Sequence, residues 1–173
     1  MIRVDEISNG DAYRQIDKLA ALLIDAVESG ASVSFMAGLS PGEAEAFWEE
    51  AIAGIPTGRT LLFSAFSGAE LVGTVLMHPA GKPNQPHRAD VAKMLVHRRA
   101  RRRGIGAALM RAAEDAARAA GKTLLVLDTA SSDAERLYER LGWTRVGPVP
   151  GYALLPDGHP CDTTIFYKPI AKG

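Results

Sequence analysis

The stretch from Val96 to Ala107 constrains this chain more than any other. His97-Arg98-Arg99-Ala100-Arg101-Arg102-Arg103 leads into Gly104-Ile105-Gly106-Ala107. Arg88 to Val96 before it has the pattern of a strand with an apolar end at Leu95-Val96. Gly104 to Ala120 after it forms an alanine-rich helix with Ile105, Leu109, Ala112, Ala113 and Ala116 on one face and Gly121 as its stop. Thr123 to Asp128 is the next strand, its centre (Leu124-Leu125-Val126-Leu127) wholly apolar, as a buried strand requires. A strand–helix–strand unit of this kind crosses over right-handed. The first N–H groups of a helix have no intrahelical partner and carry partial positive charge. Glycine lets a diphosphate approach that backbone closely. Arg101, Arg102 and Arg103 add charge at the rim, so the turn is expected to hold a pyrophosphate on the backbone of Gly104, Ile105, Gly106 and Ala107. A nicotinamide-type dinucleotide site is the rival. Gly104-x-Gly106 fits its start and Asp128 ends the following strand, but Leu109 stands at the third glycine position and the loop from Val96 is too long for that tight turn.

The flanking segments extend the pattern. Ile2 to Ile7 alternates as a strand, and Asp11 is placed to cap a helix reaching about Glu28, with a stripe of Ile16, Leu19, Ala20, Leu22, Leu23 and Val27. Ser40-Pro41 with Glu43 opens a second helix that ends near Gly54. Thr60 to Ser67 and Leu71 to His78, joined by Gly68-Ala69-Glu70, form a hairpin. Ala80 to Pro86 is a loop, Ser131 to Leu141 a short helix stopped by Gly142, and Trp143 to Val149 and Asp162 to Lys168 the last strands. The expected fold is mixed α/β, one domain over residues 1–173, with no repeat or internal boundary.

Zero formal net charge removes any global attraction to nucleic acid or membrane, and no run approaches the roughly 20 apolar residues of a membrane span. The single cysteine, Cys161, forms no internal disulfide, and the start of the chain has no apolar leader; both fit a cytoplasmic protein. His78, His87, His97 and His159 lack the spacing of metal ligands, so no metal is expected.

Two motifs together resemble the GNAT (GCN5-related) N-acetyltransferases. Arg101-x-x-Gly104-x-Gly106 after Leu95-Val96 is similar to that family's acetyl-CoA signature. Ser131-x-x-Ala134-x-x-Leu137-Tyr138-x-x-x-Gly142-Trp143 is similar to its tyrosine-bearing helix and the Gly-aromatic entry to the next strand. The likeness spans about Thr60 to Lys168. Ser29 to Ala37, Lys82-Pro83-Asn84, Leu127-Asp128-Thr129, Thr144 to Gly147, Pro150-Gly151-Tyr152 and Pro156-Asp157-Gly158 resemble its tabtoxin-resistance branch, which acetylates a small amino-acid-like toxin. Three positions depart from the family: Arg98 replaces the usual proline, Arg102 a frequent glycine, and Ser131 a frequent asparagine.

The resemblance implies a mostly antiparallel sheet of six to seven strands, splayed between the fourth and fifth, flanked by about four helices. It implies acetyl-CoA as co-substrate, a small-molecule amine as acceptor, and a monomer or homodimer. Residues 88–145 would form the acetyl-CoA core and residues 1–55 the acceptor side. Met94, Leu95 and Val96 would meet the pantetheine arm, with Ser131, Ala134 and Tyr138 beside it. Tyr138 would meet the leaving thiolate. Asp90 and Asp128, on neighbouring strands, are both candidates to hold the acceptor ammonium and relay its proton. Counting by two from Asp90 places Ala92, Met94 and Val96 on one face and Val91, Lys93 and Leu95 on the other. Ser32, Phe35, Met36 and Tyr152 are the expected acceptor contacts, with Lys82 and Asn84 as candidates for a substrate carboxylate. Two other classes compete: a nucleic-acid-binding module built on the Arg98–Arg103 run, opposed by zero net charge and the lack of interleaved aromatics, and a protein that binds acetyl-CoA without chemistry, opposed by Tyr138 and the two carboxylates.

Overall fold

The computed structural model describes residues 1–171. Among them a single seven-stranded sheet has the order β1-β2-β3-β4-β5-β7-β6. The strands are β1 (Ile2–Glu6), β2 (Leu61–Ser67), β3 (Glu70–Pro79), β4 (Arg88–Val96), β5 (Leu124–Thr129), β6 (Thr144–Leu154) and β7 (Pro160–Pro169). The helices are α1 (Asn9–Arg14), α2 (Ile16–Glu28), α3 (Pro41–Ala53), α4 (Ile105–Ala119) and α5 (Ser132–Arg140). Only β4 and β5 pair in parallel, across α4; every other neighbour is antiparallel. The architecture is the mixed α/β sheet expected, with five helices rather than four.

The extra helix comes from a break at Gln15. The cap is Ser8, not Asp11: Ser8 is extended and its hydroxyl accepts from the Asp11 N–H, while Asp11 lies in the first turn. The second helix start follows expectation, with Ser40 and Glu43 exchanging both bonds of a capping box behind Pro41. Strand β6 runs past Val149 through Pro150 to Leu154. It is an edge strand paired only with β7, where a proline removes no needed ladder bond.

Two apolar layers sandwich the sheet. Ile105, Leu109, Met110, Ala113 and Ala117 of α4 pack on Val75, Val91, Leu125 and Leu127, with Tyr138, Trp143 and Phe166 completing that side. Leu19, Leu22 and Leu23 of α2 and Trp48 and Ile52 of α3 pack on Leu62, Leu76 and Leu95 of the other face. One charged residue of α4 is buried as well: Glu114 accepts from Trp143 Nε1 (2.8 Å) and Lys168 Nζ (2.7 Å), tying α4 to the last strands.

The alternation expected along β4 fails at its middle. Val91 packs on the α4 side, yet Leu95 packs on the α2–α3 side. Thr74 and Leu76 of β3 face Leu95 and Ala92, so three steps of β4 oppose two of β3. Lys93, with φ of 49°, takes up the extra residue as a bulge. Such a bulge resets the period of two, so Met94 and Val96 join the α4 layer with Val91, not Asp90's face.

Candidate active site

Strands β4 and β5 pair at only three positions, Arg88 with Leu124, Ala89 with Leu125 and Asp90 with Val126. Beyond Asp90 the two strands part, although β4 continues to Val96 and β5 to Thr129. The cleft opens toward the carboxyl ends of both strands. There the backbone of β4 has lost a neighbour and is free to bond something else.

The glycine-rich turn closes one end of this cleft. Gly104 caps α4 at φ 76°, a conformation that a Cβ would strain. Among the described residues, the first backbone N–H of the turn to find a backbone acceptor is that of Ala108, which donates to Gly104 O (3.1 Å); those from Arg101 to Ala107 find none. Gly106 meets a second demand: a Cβ there would stand 2.9 Å from Leu137 Cδ2 and 3.5 Å from Met94 Sδ. Glycine thus lets α4 approach α5 and β4 at the mouth of the cleft.

The arginine run is divided in its roles. Arg98 turns inward: its N–H donates to Asp25 Oδ2 (2.9 Å), its Nε to Asp25 Oδ1 (2.5 Å), and it lies 3.4 Å from Glu28. Burial works to raise the Asp25 pKa, but the Arg98 backbone and guanidinium outweigh it and hold the carboxyl below its ordinary value. Arg99 pairs with Glu70. Arg101 Nε donates to Val96 O (3.2 Å), bracing the turn, and Arg103 reaches Ser67 Oγ (3.5 Å). Arg102 is exposed, with φ of 61°. The run is therefore a built turn rather than an open basic stripe.

Tyr138 lies on α5, only 4% exposed, its ring against Phe166 (5.8 Å) and Trp143 (6.0 Å). Burial, aided by the negative charge of Asp128, pushes its phenol well above the ordinary tyrosine value. Asp128 follows Leu127 at the open end of β5. Its Oδ2 accepts from Thr163 Oγ1 (2.7 Å), and it shares a small cavity of about 130 Å³ with Tyr152, Val126, Thr163 and Ile165. It does not cap α5; Ser131 does, accepting from the Ala134 N–H (3.3 Å). Ala134 packs beside Leu137 and the buried Tyr138.

The remaining predicted residues scatter around this centre. Asp90 stands where β4 and β5 still pair and is ion-paired with Arg88, which Gln85 also holds. Phe35 meets Phe47 edge-on (5.5 Å), and Met36 beside it is exposed. Ser32 is turned to the β6–β7 hairpin, donating to Leu154 O (3.3 Å). Tyr152 is exposed on β6. Lys82 and Asn84 stay on the exposed loop. Sequence reasoning passed over Lys93. Its ammonium meets Ser34 Oγ (3.0 Å) and lies 5.4 Å from the Phe47 ring centre. Only the three-dimensional bulge reveals it.

Among the described residues no group of three or more His, Cys, Asp or Glu is arranged to hold a metal, and no helix is long and apolar enough to cross a membrane.

Comparison with known proteins agrees with this geometry. The sequence model of the acetyltransferase (GNAT) family matches residues 24–143. Among solved structures, the fold is similar to an N-acetyltransferase from Staphylococcus aureus Mu50, with a TM-score of 0.81, 14% identity and 99% of each chain covered. It is also similar to yncA, a candidate acetyltransferase from Salmonella typhimurium solved with its cofactor acetyl-CoA, with a TM-score of 0.79, 15% identity, and 100% of this chain and 96% of that one covered. A candidate phosphinothricin N-acetyltransferase gives a TM-score of 0.80 at 17% identity, with 99% of each chain covered.

Proposed function

Because the chain belongs to the acetyltransferase (GNAT) family, we propose that it transfers the acetyl group of acetyl-CoA to the amine of a small molecule. One observation carries this reading: a parted pair of strands has unbonded helix-start N–H groups at its mouth and a carboxylate, Asp128, at the open end of β5.

The residues present fit the co-substrate. The N–H groups of Gly104, Ile105, Gly106 and Ala107, with Arg101, Arg102 and Arg103 at the rim, would hold its pyrophosphate. The free edge of β4 from Met94 to Val96 would pair with the pantetheine amides, with Ser131 and Ala134 across the cleft. When bound, acetyl-CoA supplies an acetyl group already activated as a thioester.

The chain itself must manage two protons. An alkyl ammonium has a pKa of about 10 and cannot attack until it loses one. Asp128 is the better placed carboxylate. Thr163 occupies only its Oδ2, so Oδ1 remains to accept from the acceptor amine, directly or through water. Asp90 already has Arg88 as a partner and stands at the closed root of the cleft. Tyr138 holds its proton firmly, because burial and Asp128 disfavour the phenolate. Its hydroxyl therefore acts first as a hydrogen-bond donor to the departing sulfur, and it exchanges a proton only as that charge develops.

The acceptor enters from the α2–α3 side, past Ser32, Phe35, Met36 and Tyr152. The tabtoxin-resistance likeness makes an amino-acid-like toxin or antibiotic the acceptor to try first, and a cytoplasmic setting would supply the co-substrate. A thiol-release screen with amino acids, dipeptides, polyamines and aminoglycosides tests the reading. Acetyl-CoA-dependent thiol release with at least one amine, and an N-acetyl product by mass spectrometry, are expected. Release that no amine stimulates would overturn it.

A further inference from the structure

Lys93 is a half-buried cation without a counter-ion. Among the described residues its ammonium has one hydrogen-bond acceptor, the neutral hydroxyl of Ser34 (3.0 Å), and no carboxylate within ion-pair distance. An ammonium has three donors, so two directions are left open. Burial lowers its pKa, and the negative charge of Asp128 on β5 works in the opposite direction.

The backbone is shaped to put the ammonium there. Lys93 is the bulge residue of β4, at φ 49°, and its partner Ser34 is also left-handed, at φ 79°. A non-glycine residue in that region is uncommon and is held there by its surroundings. Two such residues hydrogen-bond to each other at the acceptor side of the cleft, and Phe47 covers the ammonium from α3. The cleft thus carries a cation on β4 and an anion, Asp128, on β5.

We propose that Lys93 anchors an anionic group of the acceptor, most simply a carboxylate, while Asp128 receives the amine that is acetylated. This rests on the acetyl-transfer reading above and narrows its substrate to amines that carry a negative charge. Ser34 then positions the lysine. Phe47 keeps water from one side of the pair, which strengthens the attraction.

The test compares amino acids with the carboxamides of the same amino acids in the thiol-release assay. Amidation makes the amine less basic, which favours attack by the amide, so a preference for the acid cannot come from basicity. The wild-type protein should prefer the acid by roughly 10- to 100-fold in kcat/KM, the range of one charge-assisted hydrogen bond. Lys93→Met should bring the ratio to about one, and Lys93→Glu should invert it. Calorimetry with CoA alone reports whether each variant is folded and its co-substrate site intact. A wild-type ratio near one, with acetyl transfer intact, overturns the anchor and leaves the transfer reading standing. So does a large ratio that survives Lys93→Met, and so does a variant that loses acid and amide equally. No transfer to any acid or amide, with CoA bound, counts against both.

Discussion

Asp25→Asn tests how the arginine turn is held. Asp25 is 8% exposed on α2 and accepts from the Arg98 N–H at 2.9 Å and Nε at 2.5 Å, with His97 Nε2 at 3.6 Å. Asparagine keeps one acceptor for the Arg98 N–H, but its amide nitrogen then faces the guanidinium, donor against donor. One charge-assisted bond is lost, about 1.5–3 kcal/mol. The Arg98 side chain is 48% exposed and keeps Glu28 at 3.4 Å, so water and that second carboxylate recover part of the loss. We expect a destabilisation of about 2 kcal/mol, or a fall in Tm of about 4–8 °C for a chain of this size. Urea unfolding followed by circular dichroism measures it. The pH dependence supplies the signature. The Asp25 pKa is lower in the folded protein than its ordinary 3.8, so its contribution is complete above that value and fades as pH falls through the folded pKa. The gap between wild type and variant should therefore close in acid. A difference below about 0.5 kcal/mol, within the range of ordinary surface changes, would refute the argument. So would a gap that stays constant down to the lowest pH at which both proteins fold.

Three further outcomes follow from the same geometry. Tyr138→Phe should reduce kcat by roughly 10²-fold or more, the usual lower bound for a positioned proton donor, while CoA affinity by calorimetry stays put; unchanged turnover removes Tyr138 from the chemistry. Asp128→Asn should lower kcat/KM by roughly 10²-fold or more while CoA affinity by calorimetry holds, and unchanged turnover shifts the role to Asp90 or water. Glu114→Ala leaves the Trp143 indole N–H without its acceptor and the Lys168 ammonium with only the Leu141 carbonyl (2.6 Å), so it should destabilise the protein by about 1–3 kcal/mol in denaturant unfolding.

The parts of this molecule that were legible in the sequence are those written locally. Ser40, Pro41 and Glu43 announce a helix start because all their bonding partners lie within three residues. Gly104 and Gly106 announce the turn because only glycine suits a left-handed cap and a close approach of Leu137. Features decided by distant partners were not legible. In the sequence Arg98 is one member of the basic run, and only the fold brings Asp25 of α2 against it. Glu114 reads as a solvated helix charge, and only the return of β6 and β7 buries it. The Lys93 bulge has no signature in composition, since lysine has no preference for positive φ. It changed the face of every residue after it, and with that the composition of the acceptor side. The break at Gln15 lies just ahead of the apolar stripe that starts at Ile16, and no proline or glycine beside it marks the interruption.

The central claim is that the open amides ahead of α4 grip two linked phosphates. Calorimetric titration with CoA and with pantetheine, which shares the arm but lacks the pyrophosphate, tests it most directly. Saturable CoA binding that weakens with added salt is expected, with pantetheine binding at least about 100-fold weaker, as losing several charge-assisted bonds requires. Folded protein that takes up no CoA, or that binds pantetheine as tightly as CoA, would contradict it.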